Sequence, residues 1–75
     1  MKITGTSSYI KAEIDGKVVK IEGEMLVGGF LAYSDTIKNW EKPYENIAID
    51  ATTKSKIINA IIEETKNSNF KIEFE

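Results

Sequence analysis

The sequence contains no cysteine and no histidine, and its ten basic residues are all lysines. Without cysteine the chain forms neither disulfides nor thiolate metal sites. Histidine and cysteine supply most general bases, nucleophiles and zinc ligands, so an enzyme built from this chain would depend on carboxylates, lysine, serine or tyrosine. Arginine is the preferred residue for bidentate contacts with bases and phosphates. These absences predict a protein that is not an enzyme, needs no metal or other cofactor, and does not bind nucleic acid.

Long apolar stretches are also missing. The longest one, Met25–Tyr33, is too short to cross a bilayer, and the N-terminal residues lack the continuous apolar core of a signal peptide. The chain has 75 residues, a net charge of −2 and an apolar fraction of 41%. This length suits one domain, residues 1–75, and this apolar content favours a folded chain. We therefore expect a single-domain cytoplasmic protein with no membrane partner.

The segment Ala51–Lys66 has the pattern of an amphipathic helix. Its apolar side recurs at steps of three and four residues, as one face of a helix requires. The residues of this side are Ile57, Ala60, Ile61 and Thr65, flanked by Ile58 and Ile62. Asp50 precedes the segment and is a suitable N-cap, because its carboxylate can accept hydrogen bonds from the free N–H groups of the first turn. We predict that this helix covers the apolar face of a sheet.

Two strands are predicted on either side of Asp15-Gly16. Polar and apolar residues alternate from Tyr9 to Ile14, as in a strand with one buried face. Asp-Gly is preferred in a two-residue type I′ turn, because both positions need positive φ. Such a turn sets the register of the two strands. The predicted cross-strand pairs are Ile14 with Lys17, Ala12 with Val19, and Ile10 with Ile21, and they bring the apolar residues of both strands to one face.

The remaining strands follow from shorter patterns. Gly23 is expected to interrupt the second strand of the hairpin, and Gly28-Gly29 is compatible with either a tight turn or a bulge in a longer strand. Residues Asn69–Glu75 alternate between apolar and charged side chains and predict a final strand. Because the helix lies between strands, a crossover is expected. The predicted fold is α+β with two layers, an antiparallel-rich sheet of three to five strands packed on one main helix.

The segment Ser34–Asp50 has no sustained periodicity, and Pro43 disfavours a helix that continues past Trp40 or Glu41. It contains a tryptophan, a tyrosine and four acidic residues against two lysines. This composition makes the segment the best candidate for a specific binding surface. Trp40 has two interpretations: it anchors the segment in the core, or it is an exposed contact residue in an interface.

The order of residues from Phe30 onward resembles a known protein family. Phe30-Leu31-Ala32-Tyr33, Trp40-Glu41 with Pro43, the isoleucine-rich helix and the short final strand are similar to the immunity protein 74 family of bacterial polymorphic toxin systems. The resemblance covers Gly23 to Phe74. It implies a small α+β protein that is encoded beside a secreted toxin and that binds and neutralises this toxin inside the producing cell.

Under this interpretation the partner is a cognate protein toxin and the complex is stoichiometric. The predicted partner-binding residues are Tyr33, Asp35, Trp40, Glu41, Tyr44 and Glu45. The acidic members of this set would speed the association with a basic toxin. An alternative is a structural or regulatory homodimer that pairs through exposed sheet edges. We expect the free protein to be a monomer or a weak homodimer.

Overall fold

Five strands and one helix make up the fold, which we describe from a computed structural model of residues 1–75. The elements are β1 (Lys2–Gly5), β2 (Tyr9–Ile14), β3 (Lys17–Leu26), β4 (Gly29–Ala32), α1 (Ala51–Thr65) and β5 (Lys71–Phe74). The strands lie in the sheet in chain order. The pairs β1–β2, β2–β3 and β3–β4 are antiparallel, and β5 pairs in parallel with β4 because α1 forms the crossover between them. The predicted α+β class and the predicted crossover are confirmed.

The hairpin of β2 and β3 has the register that the sequence predicted. Ile14 lies opposite Lys17, Ala12 opposite Val19 and Ile10 opposite Ile21. Asp15 has a φ of 52° and Gly16 a φ of 80°, as a type I′ turn requires. Strand β1 was not predicted, and it pairs with the other edge of β2 over four residues.

Strand β3 is longer than expected, because the predicted interruption at Gly23 does not occur. Up to Glu22 the strand pairs with β2, and from Gly23 onward it pairs with β4. A Cβ atom at Gly23 would overlap the Leu31 carbonyl oxygen and would lie 2.9 Å from the Cα of Ala32. Glycine therefore permits the close approach of β4 at the point where β3 changes partners.

The chain makes a tight turn after β3, and the Gly28-Gly29 pair is not a bulge in a longer strand. Leu26 lies opposite Gly29, so the two-residue loop consists of Val27 and Gly28. Gly28 has a φ of 78°, which glycine adopts without strain. Gly29 already belongs to β4, so the turn lies one residue earlier than the Gly28-Gly29 pair suggested.

The helix packs its predicted face on the sheet. Asp50 is the N-cap, and its Oδ1 accepts a hydrogen bond of 2.7 Å from the backbone N–H of Thr53. Ile57, Ile61 and Thr65 are buried, whereas Ile62 is 43% exposed. The core contains twelve residues: Ile10, Ala12, Val19, Ile21, Phe30, Ala32, Ile37, Trp40, Ile49, Ile57, Ile61 and Ile72. The inner face of the sheet is thus covered, and its outer face carries no helix.

The final strand is shorter than the predicted Asn69–Glu75. It covers Lys71–Phe74, and Phe70 lies just before it with 41% of its surface exposed. Thr65 in the last turn of α1 donates a hydrogen bond of 3.0 Å to the carbonyl of Ile61, and the Ile72 N–H lies 3.4 Å from its Oγ1. The end of the helix is therefore held against β5.

Candidate partner-binding surface

The irregular segment between β4 and α1 lies along one edge of β3. Strand β4 pairs with β3 only from Gly23 onward, so the earlier part of that edge is available for other contacts. The Glu41 N–H donates to the Val18 carbonyl at 2.7 Å, and the Glu22 N–H donates to Thr36 Oγ1 at 3.0 Å. These bonds satisfy backbone groups of the edge and hold the segment in a defined position.

Trp40 is part of the core and is only 8% exposed. Ile37 and Ile49, which precede and follow it in the same segment, are also buried. This position agrees with the interpretation of Trp40 as an anchor. Tyr44 is 38% exposed, and the Lys17 ammonium lies 5.3 Å from the centre of its ring and 5.9 Å from that of Trp40. Lys17 therefore holds the exposed Tyr44 beside the buried anchor through cation–π contacts.

Glu41 and Glu45 lie on the same side of the segment. The Glu41 Oε1 is 3.5 Å from the Lys11 ammonium, and both side chains are partly exposed. The Glu45 carbonyl accepts a hydrogen bond of 3.3 Å from the Asn39 side chain. An open depression of about 560 Å³ runs between this segment and the sheet, and its lining residues are Lys11, Val18, Trp40, Glu41, Lys42 and Glu45. The structure thus brings four predicted residues together, Trp40, Glu41, Tyr44 and Glu45.

Tyr33 and Asp35 form a second group at the end of β4. Asp35 is exposed in the 3₁₀ turn Ser34–Thr36. Tyr33 is half-buried on the outer face of the sheet, and its backbone N–H donates to the Glu22 carbonyl at 2.7 Å. Desolvation of the Tyr33 hydroxyl, together with the nearby Glu24 and Glu75 carboxylates, raises its pKa above the ordinary value. Tyr33 therefore lies in a desolvated position close to two carboxylates.

Four glutamates that the sequence did not single out surround Tyr33 and its neighbour Leu31. Strand pairing places Leu31 opposite Glu24 on one side and opposite Glu73 on the other. The Tyr33 N–H donates to the Glu22 carbonyl, and Glu75 is the residue that directly follows β5. Glu22 and Glu75 therefore flank Tyr33 in the same way. We call this surface the acidic face; its residues are Glu22, Glu24, Leu31, Tyr33, Glu73 and Glu75. The alternation of each strand placed these side chains outward, but only the register brought them together.

The family model of Immunity protein 74 matches residues 2–75. The chain belongs to this family. The match includes β1, β2 and the part of β3 before Gly23, which the resemblance from Gly23 to Phe74 had left out. Searches of curated proteins and of solved structures gave no match. The one helix of this Immunity protein 74 member is not long and apolar enough to cross a membrane.

Proposed function

We propose that this chain binds a cognate protein toxin and neutralises it by stoichiometric contact, without catalytic activity of its own, in the cytoplasm of the bacterium that makes the toxin. The observation that carries this proposal is the match to Immunity protein 74 over residues 2–75. A family named for immunity implies a toxin as partner. The fold supports a binding role, because it presents an irregular, aromatic and acidic segment on a regular scaffold.

The proposed mechanism is steric occlusion of the toxin by residues 35–45 and the adjoining sheet. Trp40 would fix the segment from inside, and Tyr44, Glu41 and Glu45 would contact the toxin. Tyrosine suits this role because it offers a large contact area at a low cost in conformational entropy. Asp35 and Tyr33 extend the surface toward the outer face of the sheet. Acidic side chains at the rim would accelerate association with a basic toxin.

A homodimer that pairs through sheet edges is the second candidate. It is supported by the positions of β1 and β5, each of which pairs with one neighbouring strand only. Light scattering over a concentration series tests it, because a stable dimer would give twice the monomer mass throughout the series. A constant monomer mass would eliminate this candidate.

Co-expression tests the proposed function directly. The chain is produced together with the protein encoded by the adjacent gene, and cell survival and complex formation are measured. Rescue of growth with a one-to-one complex is the expected result. A well-folded chain that neither rescues growth nor forms a complex contradicts the proposal.

Paired substitutions test the proposed segment. Glu41→Lys with Tyr44→Ala should weaken toxin binding while the protein stays folded, because both side chains are partly exposed. The matched control is Glu64→Lys with Ile62→Ala. It changes the net charge of the protein by the same amount and removes an exposed apolar side chain on the solvent side of α1. Unchanged affinity of the folded Glu41/Tyr44 variant would eliminate this surface.

A further inference from the structure

The outer surface of the sheet is divided by charge. Lysines 2, 11 and 20 lie on β1, β2 and the start of β3, a region that we call the lysine end. The acidic face lies on the later part of β3 and on β4 and β5. Neither region is covered by the helix, because the core and α1 lie on the opposite face.

The lysine end is compensated within the molecule. Lys2 lies opposite Glu13 in the strand register, and the Lys11 ammonium is 3.5 Å from the Glu41 carboxylate. The Lys20 ammonium is 4.6 Å from the centre of the Tyr9 ring, a distance at which cation–π attraction is effective. Each of these three lysines therefore has a favourable electrostatic neighbour in the free protein.

The acidic face contains no ion pair. The chain contains two ion pairs, Lys11 with Glu41 and Lys66 with Glu63, and neither includes a carboxylate of the acidic face. Lys71 is the only lysine on β4 or β5, and it lies at the start of β5 opposite Gly29. The carboxylates lie on either side of β4 and none of them is in an ion pair, so this arrangement favours a partner that supplies positive charge.

The centre of the acidic face is suited to direct contact. Leu31 on β4 and Tyr33, which directly follows that strand, are both half-buried. An apolar and aromatic centre with a charged rim is the common anatomy of a protein–protein interface. Tyr33 also directly precedes the segment that contains the other proposed toxin-binding residues, so the acidic face adjoins that segment along the chain.

We propose that the acidic face receives a lysine- or arginine-rich surface of the toxin, with the cationic side chains on Glu22, Glu24, Glu73 and Glu75 and an apolar contact on Leu31 and Tyr33. This inference rests on the proposed function and names the chemistry of the partner. Association is then accelerated by electrostatic attraction and slows as salt screens the charges.

A charge reversal at matched positions tests this inference. Glu24→Lys with Glu73→Lys reverses charge on the acidic face, and Glu63→Lys with Glu64→Lys makes the same change in net charge on the exposed side of α1. Stopped-flow or surface-based kinetics measure association with the protein encoded by the adjacent gene, at low and high salt. We expect the acidic-face variant to associate roughly tenfold more slowly at low salt and to lose most of its salt dependence. The α1 variant should remain close to wild type.

The possible results separate the two proposals. If wild type binds and the folded acidic-face variant associates as fast as wild type, the acidic face is not the docking surface, although the immunity function stands. If both variants slow equally, only net charge matters and the inference is wrong. If wild type itself forms no complex with that protein, the proposed function and this inference both fail. Thermal unfolding followed by circular dichroism verifies that each variant is folded.

Discussion

The lysine end and the acidic face share one sheet but differ in how their charges are satisfied. At the lysine end, Lys11 contacts Glu41 and Lys20 lies over Tyr9. On the acidic face, Glu24 and Glu73 border Leu31 without a lysine partner. Lys11 and Lys20 thus have favourable neighbours although they lie opposite each other in the register, whereas no carboxylate of the acidic face is in an ion pair. The proposed docking surface therefore differs from the lysine end in having no ion pair of its own.

The largest expected effect comes from Gly23, at which β3 passes from the lysine end to the acidic face. Gly23→Ala places a Cβ against the Leu31 carbonyl and 2.6 Å from the Phe30 ring, so β4 must move away from β3. We expect a loss of about 3 kcal/mol in the free energy of unfolding, typical of overpacking. Urea denaturation measures it.

Gly28→Ala is the control for this substitution. Gly28 has positive φ, unlike Gly23, and a Cβ there would meet no atom within 4 Å. Gly28→Ala should therefore lower the free energy of unfolding only through backbone strain, by about 1 kcal/mol. If the two variants lose equal stability, steric contact at Gly23 does not control the junction of the two regions.

A smaller effect is expected at Asp50, which begins the helix beneath the lysine end. Thr53 and Ile57 of α1 line a depression together with Ile14 and Trp40, so the first turns of α1 lie against this region. The Thr53 N–H bond lowers the pKa of Asp50 below its ordinary value. The folded state therefore favours the carboxylate. The stabilisation by the Asp50 carboxylate is complete at a pH above the pKa of Asp50 in the unfolded chain. It disappears as the pH falls through the lower pKa of Asp50 in the folded protein.

Asp50→Ala removes both the cap and this pH dependence. The melting temperature of wild type should fall on acidification more steeply than that of the variant, and at neutral pH the variant should melt lower. Asp50→Asn is the control, because it keeps a capping oxygen but cannot titrate. If the melting temperatures of wild type and Asp50→Ala fall equally between neutral and strongly acidic pH, the Asp50 carboxylate is not the source of this pH dependence.

The smallest effect is a change in one titration. Glu24→Gln should lower the pKa of Tyr33 toward its ordinary value, since the Glu24 carboxylate is one cause of the raised pKa, although desolvation of the hydroxyl remains. Glu13→Gln at the lysine end is the matched control and should leave Tyr33 unchanged. Absorbance titration, with the Tyr33→Phe protein as a reference for the other two tyrosines, measures the shift. Equal titration curves for both glutamine variants would show that the acidic face has no local potential of its own.

Local sequence patterns predicted the hairpin and the helix well, and the physical reason is that their determinants are close in sequence. Asp15-Gly16 sets the β2–β3 register by itself, and Asp50 caps α1 three residues before its hydrogen-bond partner Thr53. Gly23 was misinterpreted because an isolated glycine in a strand indicates either a break or a close approach. The choice depends on β4, which the local pattern does not include.

The candidate surface could be predicted only in part from the sequence, because it also depends on contacts between residues that are distant in the chain. The residues Trp40 and Glu41 were found from composition, but the burial of Trp40 depends on how the segment lies on β3. The acidic face combines β3, β4 and β5, and the parallel pairing of β5 is produced by the crossover through α1. Alternation alone predicts that Glu24 and Glu73 point outward, and it does not predict that both border Leu31.

The uninterrupted course of β3 has a consequence for motion in the free protein. A single strand of ten residues serves both β2 and β4, so a fluctuation that opens one ladder loosens the strand on which the other ladder depends. The lysine end and the acidic face should therefore open together as one cooperative unit. A toxin that binds the acidic face would then restrain the hairpin of β2 and β3 as well, although it need not touch that hairpin.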